Sequence, residues 1–168
     1  MKKTKAELET IDNWLCANGV SNYTIGDEGV VDVHGRLDFG QPKFCSSPLD
    51  TMVCQIGTVT GVFSCSGTDV SCIDRFPRIV TNSVFCDQTK IRSLSGIEKH
   101  VQHIGQGFYC DTGVTNVLGL LLIDGLKYVN IDQNGPVDKV INKYLGTGDI
   151  LSAQDELIDA GCIEQASL

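Results

Sequence analysis

The sequence contains no run of about 18 consecutive apolar residues, the length that a helix needs to cross a bilayer, so we expect no membrane association. Basic residues are few, because 13 Lys and Arg stand against 21 Asp and Glu and give a formal net charge of -8. Direct nucleic-acid binding through phosphate neutralisation needs the opposite balance, and we do not expect it. No apolar stretch follows the basic start Met1–Lys5, so we expect no signal peptide and a cytoplasmic location.

The sequence also lacks any Cys-x-x-Cys motif, the usual spacing of zinc ribbons and thioredoxin-like sites, although it has eight cysteines. Several of them take positions that suit a small apolar residue on a strand, as in Val62–Cys65 and Val84–Cys86. Free cysteine packs as a small hydrophobic residue. We therefore expect reduced core thiols, with disulfides and a metal site as the alternatives. The cysteines are Cys16, Cys45, Cys54, Cys65, Cys72, Cys86, Cys110 and Cys162.

The N-terminal residues 1–35 predict a helix followed by a hairpin. Thr4 and Glu7 match the capping box, in which a hydroxyl and a carboxylate each satisfy a free amide of the first turn. Tyr23–Ile25 and Val30–Val33 flank a glycine-containing turn and predict two strands. The predicted helix carries an apolar stripe at helical spacing. The stripe consists of Leu8, Ile11, Trp14 and Leu15.

A short strand with two apolar residues two positions apart recurs through residues 36–131. The second members of these pairs are 26, 21, 24 and 21 residues apart. Such a period is typical of leucine-rich repeats, in which stacked units bury a core that no single unit can bury alone. The pairs are Leu37 and Phe39, Phe63 and Cys65, Val84 and Cys86, Phe108 and Cys110, and Val129 and Ile131.

Each predicted strand is followed by a polar stretch and further apolar positions. Thr68 and Thr89 fall where the repeat usually carries Asn, whose side chain bonds to the backbone across the turn, and Thr can do this only in part. The repeat is therefore degenerate, and an irregular β-rich domain is the alternative. The apolar positions that follow the strands are Val70, Ile73, Ile91, Leu94, Val114 and Val117.

Residues 132–168 predict two helices. Pro136 suits the first turn of one helix, and Asp149 can cap a second one that ends before Gly161. The expected apolar positions of the first helix are Val137, Val140, Ile141, Tyr144 and Leu145, and those of the second are Ile150, Leu151, Leu157 and Ile158. The region also carries seven acidic residues, which are Asp132, Asp138, Asp149, Asp155, Glu156, Asp159 and Glu164.

Together these features predict an α+β fold in a single domain. The expected architecture is a short, degenerate leucine-rich-repeat-like solenoid with a parallel β ladder in residues 36–131. A helix and hairpin cap its N-terminal end in residues 1–35, and helices cap its C-terminal end in residues 132–168. Such caps cover strand edges that an open solenoid would otherwise expose.

Several segments across the chain also match a known pattern. They are Ile11–Leu15, Val20–Ile25 and Val31–Gly35 at the start, Val62–Cys65, Leu94–Ile97 and Gly107–Cys110 in the middle, and Val140–Leu145 and Gln154–Gly161 at the end. With these segments the chain resembles the short leucine-rich-repeat-like proteins of tailed bacteriophages. The resemblance implies a small accessory protein that acts in the host cytoplasm, and it carries over no catalytic residue and no cofactor.

Strand alternation places Asp38, Ser64, Phe85 and Tyr109 on the exposed face of the predicted ladder. We expect Phe85 and Tyr109 to be the main anchors for a partner, because exposed aromatic side chains dominate many interfaces. The alternative is that both rings only cover neighbouring core residues. The leading hypothesis is a non-enzymatic protein–protein interaction module that binds or inhibits a host or defence protein.

Two other hypotheses remain open at this point. The acidic C-terminal helices could imitate nucleic acid and occupy a binding groove on a host protein. His100 and His103, three residues apart, could hold a metal together with a nearby Cys or Asp, or a cysteine could act as a reactive thiol. We expect no catalytic residue, no metal and no cofactor.

Overall fold

Helix α1 (Lys5–Ala17) begins at the predicted capping box. The computed structural model describes residues 2–40 and 48–167, and Cys45 lies outside them. The Thr4 hydroxyl accepts from the Glu7 amide at 3.3 Å, and the Glu7 carboxylate accepts from the Thr4 amide at 2.8 Å. The helix buries Ile11 and Leu15, which confirms the core side of the predicted stripe.

The predicted hairpin is present and continues into a larger sheet. Strands β1 (Tyr23–Ile25) and β2 (Val30–Val33) pair in antiparallel fashion. On its other side β2 pairs in parallel with β4 (Gln55–Val59), followed by β6 (Ile79–Val80) and β8 (His103–Ile104). The second strand of the hairpin is therefore also part of a parallel sheet.

A second sheet contains the recurring strands that the sequence predicts. Its five strands run parallel in the order in which they occur in the chain. The described residues thus form a mixed α+β fold with parallel strands in two sheets. The strands of the second sheet are β3 (Leu37–Asp38), β5 (Phe63–Ser64), β7 (Val84–Cys86), β9 (Gly107–Cys110) and β10 (Tyr128–Asn130).

The predicted apolar pairs of the second sheet point into the core. Phe39, Phe63 and Phe76 meet edge to face, with ring centroids 6.3 and 5.1 Å apart, an arrangement that aromatic quadrupoles favour. Both members of every pair are buried, with at most 4% of any side chain exposed. The ten pair residues are Leu37, Phe39, Phe63, Cys65, Val84, Cys86, Phe108, Cys110, Val129 and Ile131.

The segments that return from the second sheet are held by the two threonines. Thr68 Oγ1 donates to the Cys65 carbonyl at 2.6 Å, and Thr89 Oγ1 donates to the Cys86 carbonyl at 2.9 Å. Both hydroxyls therefore satisfy a carbonyl at the end of a strand. Helical segments in and beside these returns are the 3₁₀ turns Pro48–Thr51 and Val117–Leu122 and helix α2 (Ile97–His100).

Two helices cover the C-terminal end, as predicted. Helix α3 (Pro136–Tyr144) starts with its proline, and the carboxylate of Asp149 caps helix α4 (Ile150–Asp159) by accepting from the Ser152 amide at 3.1 Å. The apolar stripe predicted for α4 is wrong in part, because Leu151 is 74% and Ile158 46% exposed. The helix instead packs through two residues four positions apart, Ala153 and Leu157.

The join between the last strand and α3 is built on two carboxylates. Asp138 is 2% exposed and accepts from the amides of Ile131 and Asn134 at 2.6 and 2.7 Å. Asp132 accepts from the Val137 amide at 2.9 Å. These bonds satisfy amides that the end of a strand and the start of a helix would otherwise leave unpaired.

Across residues 2–40 and 48–167, no helix has the length and apolar content that a membrane crossing requires.

Because of the capping box, the stability of the fold should fall when the pH becomes acidic. Its hydrogen bonds to Thr4 and Lys3 lower the pKa of Glu7 from 4.5 to about 2. The stabilisation is therefore complete above pH 4.5 and is lost as the pH falls from about 4.5 to about 2. We expect Glu7→Gln to be less stable than wild type near neutral pH, and the difference to shrink through this window. Urea denaturation of both proteins across the pH range measures it, and a difference that does not change with pH would contradict the assignment.

Candidate partner-binding face

All four residues that the sequence predicts as partner contacts lie in one row across the second sheet. Asp38 pairs with Ser64, Ser64 with Phe85, and Phe85 with Tyr109, and Asn130 extends the row on the last strand. Strand alternation turns this row away from the buried pairs. The sheet therefore gathers side chains from five separate segments of the chain on one face.

Three aromatic rings lie side by side on this face. The rings of Phe85 and Tyr109 are stacked, with centroids 4.6 Å apart and an interplanar angle of 7°. Tyr128 continues the group, with its centroid 6.0 Å from that of Tyr109 and a tilt of 50°. Tyr128 is 36% exposed. The sequence analysis missed Tyr128, although its position two residues before Asn130 places it on the same side of the pleat.

A glycine makes room for the middle ring. An added Cβ at Gly107 would lie 2.7 Å from Cε2 of Tyr109, well inside van der Waals contact. The Tyr109 ring therefore lies across the backbone of its own strand, above the position of Gly107. The absence of a side chain there sets the position from which Tyr109 stacks on Phe85.

The stack stops at the strand that carries Ser64. An open cavity of about 480 Å³ lies there, and its lining residues are Arg36, Val62, Ser64, Ser66 and Phe85. The expectation that Ser64 is exposed is wrong, because only 6% of it is accessible. Ser64 is the smallest residue of its row, so its flanking neighbours leave little of it open to solvent.

The polar groups around the cavity differ in how well they are satisfied. Arg36 Nη2 donates to Asp38 Oδ2 at 2.6 Å, and the Gly40 amide donates to Asp38 Oδ1 at 2.9 Å. By contrast, the buried Ser66 Oγ has no hydrogen-bond partner among residues 2–40 and 48–167. Buried polar atoms in proteins are nearly always hydrogen-bonded, so Ser66 offers an unused group beside the cavity.

Carboxylates border the same face where the strands end. Asp87 and Asp111 directly follow Cys86 and Cys110 on neighbouring strands. Burial, followed by the nearby charge of Asp111, raises the pKa of Asp87. Together with Asp38, these residues give the face an acidic margin.

The two histidines considered as metal ligands make separate contacts. His103 Nδ1 lies 3.0 Å from Asp124 Oδ2, and His100 Nε2 lies 3.5 Å from Asp74 Oδ1. Within the part of the chain that the structure describes, no three His, Cys, Asp or Glu side chains are grouped so that they could hold a metal ion.

Cys54, Cys65 and Cys86 have surroundings that disfavour a thiolate. Cys65, Cys86 and Cys110 are each at most 4% exposed. Burial raises the pKa of Cys65 and Cys86 above the ordinary value, and it raises the pKa of Cys54 to about 11. A nucleophilic cysteine needs the opposite shift. Cys16 and Cys72 are exposed, and Cys162 is partly exposed.

No family model matches the sequence, and neither a curated protein nor a solved structure matches it.

Thiol labelling of the native protein separates these two groups of cysteines. We expect Cys16 and Cys72 to be alkylated rapidly, and Cys65, Cys86 and Cys110 only as the fold opens, because an alkylating reagent needs an accessible thiolate. Pulse labelling followed by peptide mass mapping measures the rates, and denatured protein provides the reference at which all sites react. Rapid labelling of Cys86 in the native state would contradict the burial described above and favour a reactive thiol site.

The role of Gly107 is tested by Gly107→Ala. The added methyl must displace the Tyr109 ring, so we expect a loss of roughly 0.5–1.5 kcal/mol, the usual value of an aromatic pair, and a change in near-ultraviolet circular dichroism. The loss should be smaller in a Tyr109→Leu background, where no ring has to move. Gly26→Ala is the control, because its Cβ would meet only Val30 O at 3.5 Å. Equal losses in both backgrounds would show that the glycine does not act through Tyr109.

Proposed function

We propose that this protein is a non-enzymatic protein–protein interaction module, and that the outer face of its second sheet binds the partner. The proposal rests on one observation, the ring group of half-buried Phe85 and Tyr109 with exposed Tyr128 beside an open cavity. Aromatic side chains are enriched at the energetic centres of protein interfaces. Rings already held by stacking also lose little side-chain entropy when a partner binds.

We further propose that the architecture is a short leucine-rich-repeat-like solenoid. Support comes from the alternation of strands along the chain, since β4, β6 and β8 join the first sheet while β5, β7 and β9 join the second. Each repeat unit would then add one strand to each sheet. An arrangement of this kind places equivalent side chains from successive units in a line, which makes an extended binding surface.

The biological setting of the proposal follows from the resemblance given in the sequence analysis, which is itself proposed. A small accessory protein of a tailed bacteriophage would act in the host cytoplasm, where binding and inhibition of a host or defence protein require a surface and no catalytic group. The alternative is a nucleic-acid mimic. It is favoured by the excess of negative charge in the C-terminal region, which has seven acidic and two basic residues.

The contacts of the acidic residues favour the aromatic face over that alternative. Asp138 is buried and bonded to backbone amides, and Glu156 pairs with Lys143 and accepts from the Tyr144 hydroxyl. These carboxylates stabilise the cap. A decoy needs an array of unpaired surface charges spaced like phosphates. In the C-terminal region, Asp138 and Glu156 are bonded within the fold and are not part of such an array.

Affinity capture from host lysate, followed by mass spectrometry and titration of the purified partner, tests the proposal. We expect the double substitution of Phe85→Ser with Tyr109→Ser to weaken binding by at least about tenfold, because loss of an interface hot spot costs about 2 kcal/mol or more. Leu151→Ser is the matched control, since it removes an apolar side chain that is 74% exposed on α4 and leaves the sheet unchanged.

The salt dependence of the same titration separates the two functional hypotheses. Binding through the aromatic face should weaken only modestly from low to high ionic strength, because stacking and apolar burial supply most of its free energy, whereas binding by an acidic decoy should weaken steeply. Steep salt dependence together with full binding by the double variant would overturn the proposal.

A further inference from the structure

We propose that the cavity beside Ser64 binds one aromatic side chain, Tyr or Trp, from a basic segment of the partner protein. This inference rests on the proposed function and names the chemistry of the partner at the same face. The bound ring would take the place that an aromatic residue at position 64 would occupy, and would continue the stack of Tyr128, Tyr109 and Phe85.

The spacing of the strands matches such a ring. Neighbouring strands lie about 4.8 Å apart, and the Phe85 and Tyr109 rings follow this spacing with centroids 4.6 Å apart. One face of the Phe85 ring is covered by Tyr109, and the ring also lines the cavity. A ring above Ser64 therefore lies one strand from Phe85 and one strand from Asp38.

The far wall of the cavity suits the opposite face of the bound ring. Arg36 lines the cavity, and its guanidinium is held by Asp38. A guanidinium plane stacks well on aromatic rings, particularly when another group fixes its orientation. The bound ring would then lie between Phe85 on one side and Arg36 on the other.

The polar atoms of the cavity favour a ring that carries a hydrogen-bonding group. Ser66 lines the cavity, and its buried Oγ has no partner within residues 2–40 and 48–167. Rotation of the Ser66 side chain would bring this buried atom to the cavity, where a Tyr hydroxyl or a Trp indole N–H supplies the missing partner. Both groups usually find a partner when they are buried. Phenylalanine would fill the same space and leave Ser66 unsatisfied.

Charge decides between a side chain of a protein and a nucleobase. Asp87 directly follows the strand that carries Phe85, Asp111 directly follows the next strand away from the cavity, and the whole chain has a net charge of -8. The phosphates of a nucleotide would be repelled here, whereas Lys or Arg residues next to the aromatic anchor would be attracted. The occupant that best fits the face is therefore an aromatic residue flanked by basic residues.

Capped tripeptides provide the probes, with the full chain observed by NMR. We expect Lys-Tyr-Lys and Lys-Trp-Lys to bind weakly but saturably and to shift the signals of Ser64, Ser66 and Phe85. Lys-Leu-Lys should bind at least about tenfold more weakly, because it offers neither a ring for stacking nor a hydrogen bond. Equal binding of the leucine peptide would overturn the proposal, as would tighter binding of adenosine monophosphate than of either aromatic peptide.

Filling the cavity from within gives the second test. Ser64→Phe places a ring in the cavity and should abolish the NMR signal shifts that the peptides cause. Asn130→Phe adds the same ring at the other end of the row and should leave them unchanged. If Ser64→Phe does not fold, Phe85→Leu removes the stacking wall and should reduce peptide affinity by at least about tenfold. Unchanged peptide binding by a folded Ser64→Phe or Phe85→Leu variant would refute the site.

The tripeptide experiment and the capture experiment can fail independently. If no aromatic peptide binds but the double variant of Phe85 and Tyr109 loses the captured partner, the interaction face stands and only its occupant is wrong. If the peptides bind the cavity but the double variant of Phe85 and Tyr109 still binds the captured partner, the cavity is a binding site and the proposed function is wrong.

Discussion

The structure depends on the in-register parallel pairing of the second sheet. Leu37, Phe63, Val84, Phe108 and Val129 lie in one line across five strands, and this alignment turns every second residue inward. A slip of one residue in any strand would exchange its buried and exposed side chains. The same register therefore closes the core and assembles the outer row, so the candidate face cannot form without the fold beneath it.

The capping box, the hairpin, the strands of the second sheet and the start of α3 could all be predicted from local patterns. These features are set by residues close together in sequence, such as Thr4 with Glu7, or by repeated apolar pairs. Beyond the hairpin, the strands of the first sheet were missed because β4, β6 and β8 lack the recurring pair of apolar residues two positions apart that marks the second sheet. Their pairing is decided by the stacking of distant segments, which local periodicity does not record.

The sequence could predict most residues of the candidate site, but not the arrangement of their rings or the cavity beside them. Alternation places Phe85 and Tyr109 on one face, but it does not show that the Tyr109 ring lies over Gly107 or that Tyr128 joins it. It also cannot reveal a cavity, because a cavity depends on the side chains of three neighbouring strands at once. Ser64 was therefore predicted as an exposed contact, whereas it forms the floor of a recess.

The two sides of the second sheet meet different physical demands. Inward positions hold Leu, Ile, Val, Phe and Cys, whose fit is decided by the volume between the sheets and the return segments. Outward positions are free of that constraint, yet three of them carry aromatic rings that bury only part of their surface. Core packing alone does not explain that choice, since a polar residue at position 85 or 109 would leave the buried row intact. The partner recognition that we propose would explain it, because the stacked rings and the cavity above Ser64 together offer an anchor and a place for a partner's ring.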